Sequence, residues 1–361
     1  MLGRTLGSLH HTARALLRPD EHVDFAENIA FSELAFARVL AAGRAGTGDL
    51  RVVLTAPALD VIAALTGQVP GFVYTRGAEP ATAERLAAAP ECIIAVDQMQ
   101  LPGFSLPDGP LCVVDAWALP VGHWAQLLWA NLLGLGPALW QALGAGLPGA
   151  LRLCGGAIRA GSIEPYRVAS HVNRVGRGAR IHPRATLEGC VVGEEASIGA
   201  GAVVRGCILG AGARVEELAL VEGSVLGDKA CVQRLAMVKF SVVEAGAFAA
   251  GIQQLGVVGR GAIVKHGAIL MDQRLGANDR VRVRVGGGLV DAPHGMLGVC
   301  VGPDAVIGSG VRIAAGRVIP AGLTVIADPA GIVSRVDVPA GVRVAHVANG
   351  GLQPLVDGSP Q

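Results

Sequence analysis

Gly189–Gly227 reads GCVVGEEASIGAGAVVRGCILGAGARVEELALVEGSVLG. Within it Val192, Leu209 and Leu226 stand 17 residues apart, and the same step reaches back to Val175 and on to Val243. Glycine follows the first four anchors (Gly176, Gly193, Gly210, Gly227), and alanine lies four places after all five, from Ala179 to Ala247. Six places after each anchor come Ile181, Ile198, Val215, Val232 and Ala249. Twelve places after the first four come Leu187, Val204, Val221 and Val238. Each 17-mer therefore holds two units of the form [LIV]-G-x-x-A-x and a five-residue remainder. Such columns predict three short strands per coil, with aliphatic residues inward and alanine near the corners. Glycine supplies corner dihedrals that other residues resist. Coils would stack at about 4.8 Å, each burying its columns on the next, as solenoids require. Further on, Val301, Ile307, Ile313, Ile319 and Val325 stand six apart, and Val258, Ile263 and Ile269 read as another coil, slightly out of phase.

The hexapeptide unit resembles that of left-handed parallel β-helix proteins, over about Val168 to Val344. The Gly189–Gly227 run also resembles the β-helical tail of sugar-nucleotide pyrophosphorylases, with His123–Leu135 (HWAQLLWANLLGL) in the place of their linker helix. The resemblance implies a left-handed coil, a homo-oligomer such as a trimer, and a sugar phosphate or nucleotide-sugar ligand. Acyl-CoA or Mg²⁺ would be the accompanying cofactor.

Composition agrees with a packed solenoid. Of 361 residues 51% are hydrophobic, 16% are charged and 52 are glycine, which excludes disorder and a long helical rod. A net charge of +1 gives no electrostatic case for nucleic acid. Seven cysteines without a CxxC pair fit a reducing compartment. The N-terminal segment lacks the pattern of a secretory signal, so a cytoplasmic location is expected. Cys190 and Cys207 share one column with Ser224 and Ser241, which reads as a crowded corner taking small residues.

The preceding half, 1–120, reads as a small α/β domain. Arg51–Thr55, Phe72–Thr75, Cys92–Val96 and Cys112–Val114 look like buried strands; Pro57–Leu65 and Ala81–Ala89 look like helices. The alternation predicts a small parallel sheet. Nucleotidyl transfer is disfavoured. A phosphate loop runs strand, loop, helix, whereas Ala42–Asp49 (AGRAGTGD) follows a helix-like segment and precedes a strand. Residues 116–151 carry no charged side chain and all four tryptophans. Gln126, Asn131, Gln141, glycines and prolines interrupt the run, so two short helices, about 121–133 and 137–145, are expected within a hairpin linker spanning 121–160. Membrane-surface contact is the lesser alternative.

Candidate chemistry falls in two places. Asp97 and Asp115 end predicted strands, where carboxylates hold Mg²⁺ on a phosphorylated substrate. In the repeat, a histidine would serve as general base for acyl transfer. His171, His182, His266 and His294 are available, and His266 (in VKHGAIL) stands before the largest break, Met271–Gly298. In that insertion Arg280, Arg282 and Arg284 alternate with valines, placing three guanidinium groups on one strand face. Five coil steps separate His182 from His266, about 24 Å, so they cannot share a metal ion within a subunit; His266 with His294 lacks an evident third ligand, and no metal site is expected. Residues 346–361 read as a tail. The sequence thus predicts an α/β domain on a left-handed β-helix that acts on a sugar phosphate or nucleotide-sugar, acyl transfer before nucleotidyl transfer. A non-catalytic β-helical scaffold is the alternative.

Overall fold

The computed structural model describes residues 6–68, 70–77, 80–106, 109–144, 146–274, 276, 279–331, 333, 336, 342 and 345–354. An N-terminal α/β region precedes a stacked parallel β-solenoid over residues 174–325, the architecture of a left-handed β-helix.

The N-terminal region runs α1 (Leu6–Arg14), β1 (Glu21–Asp24), β2 (Ile29–Phe31), α2 (Glu33–Ala45), β3 (Leu50–Thr55), α3 (Pro57–Ala63), β4 (Gly71–Arg76), α4 (Ala83–Ala88), β5 (Glu91–Ala95), β6 (Gln98–Leu106), β7 (Gly109–Val114) and β8 (Ala118–Pro120). The four expected strands form, but not as a parallel sheet. The order is β1-β4-β3-β5, with only β3 and β5 parallel. The segment containing Cys112–Val114 pairs with β6 in a hairpin instead. Ser32 caps α2 by accepting the Ala35 N–H and also takes the Trp117 N–H, tying the helix start to the end of the region. Gly43 on α2 lies flat on Tyr74; a Cβ there would stand 2.3 Å from the ring.

The expected pair of helices breaks elsewhere. One helix, α5 (Trp124–Leu143), runs through Pro137, and α6 (Gly146–Ala160) follows before α7 (Pro165–Ala169). His123 and Gln126 form a reciprocal cap at the start of α5: His123 Nδ1 accepts from Ala125 N–H while Gln126 Oε1 accepts from His123 N–H. Such a box satisfies helix-end donors that would otherwise be orphaned. The chain turns at Gly144 and Gly146, the latter at φ 67°, so the two glycines, not the proline, make the break.

The solenoid has three faces of eight, seven and eight strands. Val175, Val192, Leu209, Leu226 and Val243 lie in one vertical line on the first face, paired in register, and continue to Val258, Val301 and Ile319. The second face carries Ile181, Ile198, Val215, Val232, Ala249, Val264, Ile307 and Val325. Between Val243 and Val258 the coil is two residues shorter, and Gln253 replaces the aliphatic residue of the third face. This resets the phase, so Val264 and Leu270 point inward where Ile263 and Ile269 were expected. Stacked corners exclude side chains: a Cβ on Gly193 would stand 2.5 Å from the carbonyl carbon of Gly210.

One corner is a polar ladder. Asn173 Oδ1 accepts the Cys190 N–H, Cys207 Sγ accepts the Ser224 N–H, Ser224 Oγ the Ser241 N–H, and Ser241 Oγ the Gly256 N–H. The small polar column thus satisfies buried backbone donors coil by coil. All seven cysteines are free thiols, and burial pushes the Cys207 thiol well up.

The solenoid's first face is apolar outside as well as inside. Val191, Ile208, Val225, Val242, Val257 and Cys300 form its outer column. Val242 and Val257 join one core with Trp129 of α5 and with Val281 and Val283 of the insertion. The N-terminal region and α5 therefore pack on this face. After the last coil, Ala345–Ala348 and Gly351–Pro354 pair as a hairpin, so part of the expected tail is ordered as strands. No helix among the described residues is long and apolar enough to cross a membrane.

Candidate functional site

The corner that leaves the second face gathers the polar side chains of the solenoid. Column arithmetic puts His182, Glu216, Gln233 and Lys265 at one corner position and Glu217, Arg234 and His266 at the next. The shortened coil contributes only Ala250 and Gly251 there, and a Cβ on Gly251 would stand 2.5 Å from Ala268 O. Across this low step His266 reaches Gln233: its Nε2 lies 3.1 Å from Gln233 Oε1. Gln233 in turn donates through Nε2 to Glu216 Oε1 at 3.3 Å. The result is a hydrogen-bonded row, His266–Gln233–Glu216, in which a carboxylate fixes an amide and the amide fixes an imidazole. An amide that donates to the carboxylate must present its oxygen to the ring, so Nε2 carries the proton and Nδ1 is left as the basic nitrogen.

Arg180, Ser197 and Arg214 share the outer column of the second face beside this corner. With His182, Glu216 and Arg234 they line a cleft of about 730 Å³. Arg234 pairs with Glu217 at 3.1 Å. Glu217 is held below the ordinary carboxylate range by its own backbone N–H and by that guanidinium. The cleft thus combines two guanidinium groups, Arg180 and Arg214, two coil steps apart with a hydrogen-bonded histidine row at its edge. Guanidinium groups so placed suit phosphate.

The sequence-predicted residues are distributed. His266 is in the row. His294 sits at φ 58° in the insertion and packs its ring 5.0 Å from Trp129, on the covered side of the solenoid. The insertion is a hairpin, Arg282–Val285 with Gly288–Asp291. Val281 and Val283 turn into the core, while Arg280 and Arg282 pair with Asp291 at 3.0 and 3.6 Å and Arg284 donates to Gly287 O. The row of arginines therefore exists, with Arg280 and Arg282 sharing the one carboxylate of Asp291.

Asp97 and Asp115 do meet. Asp115 N–H donates to Asp97 O at 3.2 Å, and both line a larger cleft of about 1290 Å³ between the N-terminal region, α5, α6 and the first coils. Arg38 forms an ion pair with Asp115. Among the described residues no three His, Cys, Asp or Glu side chains come together around one point. Sequence reasoning missed Arg180, Arg214, Glu216 and Gln233. Their signal was present: Arg180 and Arg214, like His182 and Glu216, are 34 residues apart, two coil periods.

No protein-family model matches the chain, and no curated protein matches it. Solved structures do. A hexapeptide transferase family protein from Anaplasma phagocytophilum is 17% identical over 44% of this chain and 75% of that one, at TM-score 0.24. The acetyltransferase domain of PglB from Neisseria gonorrhoeae, in complex with acetyl coenzyme A, is 17% identical over 85% of this chain and 98% of its own, at TM-score 0.23. A UDP-N-acetylglucosamine acyltransferase from Francisella novicida is 14% identical over 51% and 68%, at TM-score 0.20. Values this low say nothing of chemistry, which rests on the residues of this chain alone.

Proposed function

We propose that the protein is a β-helical acyltransferase acting on a sugar phosphate or nucleotide-sugar, with His266 as general base. The observation that carries this reading is the His266–Gln233–Glu216 row beside the arginine-lined cleft. A general base needs its proton-accepting nitrogen free and its ring held by a second group, and the row supplies both. The acceptor's hydroxyl or amine would give its proton to His266 Nδ1 as its oxygen or nitrogen attacks the thioester carbonyl. The carbon–sulfur bond then breaks, and the thiolate of the acyl-CoA takes that proton from His266. Arg180 and Arg214 would bind phosphate of the donor or acceptor. His294 and the Arg280–Arg284 hairpin serve to hold the insertion against α5.

Thermal unfolding with coenzyme A, acetyl-CoA, UDP-sugars and sugar phosphates tests this. A ligand of the native state raises the transition. At least one member of each class, acyl donor and sugar, should do so, and Arg180→Ala with Arg214→Ala should remove the effect of the donor or of the phosphorylated acceptor. A flat response to all of them overturns the proposal and favours a scaffold.

A further inference from the structure

Helix α6 carries its smallest residues inward and its largest outward. Gly149, Leu153, Gly156 and Ala160 recur at helical spacing on the side that meets the protein. A Cβ on Gly149 would stand 2.2 Å from the carbonyl carbon of Gly144, and one on Gly156 would stand 2.8 Å from Val172 Cγ2. Larger residues do not fit there, so the rotation of the helix is fixed. The opposite stripe, Leu147, Leu151, Cys154 and Ile158, has the same spacing and faces away. Leu147 is 73% exposed, Leu151 65% and Ile158 80%, and Ile163 just beyond the helix is exposed too. None of these four stripe residues lines either cleft described above. A contiguous exposed apolar face of this kind marks a binding surface.

Charge says what covers it. From Ala116 to Ile163 there is no Asp, Glu or Lys, and the charged residues are Arg152 and Arg159 alone. Seven residues apart, they flank the stripe along one edge. Arg152 Nη1 donates to Ala142 O and Leu143 O at the carbonyl end of α5, while Arg159 is exposed beside Ile158. A second copy of α6 laid on this face would bring arginine to arginine with no carboxylate of either helix to answer. Spanning is ruled out by length: 15 residues rise about 22 Å, short of a hydrocarbon core of about 30 Å. An anionic lipid surface meets both features, with hydrocarbon for the stripe and phosphate for the arginine. Trp140, exposed at the end of α5 beside Gly144, is of the residue type favoured at that boundary.

We infer that α6 lies in the plane of an anionic lipid surface, its Leu147–Ile158 stripe among acyl chains and Arg159 on the lipid phosphates. This face is separate from the His266 corner, and the inference does not rest on the proposed reaction.

Flotation of the full chain with lipid vesicles tests it. Vesicles of three parts phosphatidylcholine to one part phosphatidylglycerol should bind the chain about tenfold more tightly than phosphatidylcholine alone, and added salt should erode that preference. Leu151→Glu with Ile158→Glu changes only exposed side chains; it should weaken binding about tenfold or more while thermal unfolding stays unchanged. Arg159→Glu should remove most of the preference for the anionic vesicle. The inference is overturned by no binding to the anionic vesicle, by equal binding of the double variant, or by equal binding to the two vesicles. A lower mass by light scattering for the double variant than for wild type also overturns it, since a second copy then covers the stripe.

Discussion

Glu21 shows how much one buried side chain organises. It is 3% exposed on β1, and Arg44 holds it with hydrogen bonds of 2.7 and 2.8 Å while the Tyr74 hydroxyl donates to it at 3.0 Å. Arg44 above all lowers its pKa from 4.5 to about 2, against the opposing effect of burial. A folded-state pKa below the unfolded one stabilises the fold above the unfolded value. That contribution is whole above about pH 4.5 and is lost as pH falls through about 2. Glu21→Gln should therefore lower the urea midpoint at neutral pH and flatten its fall across this window. Parallel acid profiles for the two proteins would contradict the assignment. The same scale explains Leu218 and Leu235, which stand at φ 61° and 62° and are 59% and 70% exposed. Leucine in the left-handed region costs roughly 1–2 kcal/mol, and neither side chain recovers it by burial in the chain itself.

Among the elements, α5 is the joint between the halves. Trp129 is fully buried, packs at a tilt against His294 of the insertion, and shares a core with Val242 and Val257 of the solenoid's first face. Trp129→Ala should cost about 3–5 kcal/mol and should expose the joint to protease before the solenoid is cut. Cleavage in the solenoid first would show that α5 is not the joint. The solenoid was legible in the sequence because each coil repeats the same burial, so columns accumulate over eight strands on a face. The phase at Ile263 and Ile269 was not, because a two-residue deletion after Ala249 leaves no local mark. The N-terminal sheet was legible in its strands but not its order, since β4 runs antiparallel for reasons of tertiary packing. Asp97 and Asp115 were readable as strand ends. The Gln233 and Glu216 partners of His266 were readable only by applying the 17-residue period to polar positions as well as apolar ones. The covered face had the same kind of signal in Val191, Ile208, Val225 and Val242, whose outward positions would be polar on an open face.

In the whole molecule, one face is sheathed by the N-terminal region while an opposite corner stays bare. Leu218, Leu235, Met237 and Ile252 are all exposed along it, next to the His266 row in sequence and in the coil. We propose that copies of the chain associate here, burying the two strained leucines and closing the cleft beside the His266 row. Leu235→Glu with Ile252→Glu should reduce the mass seen by light scattering to that of one chain, 36.7 kDa; an unchanged larger mass would place the interface elsewhere, and a monomeric wild type would remove it. Acyl transfer is proposed for the corner row. Its most direct test is mass-spectrometric detection of acylated product from acetyl-CoA and a panel of amino- and hydroxy-sugar nucleotides, with wild type and His266→Ala side by side. Acyl transfer through His266 predicts product with wild type and a loss of at least about 100-fold in rate with the variant. Product formed equally well without His266, or no product from any acceptor, would contradict it.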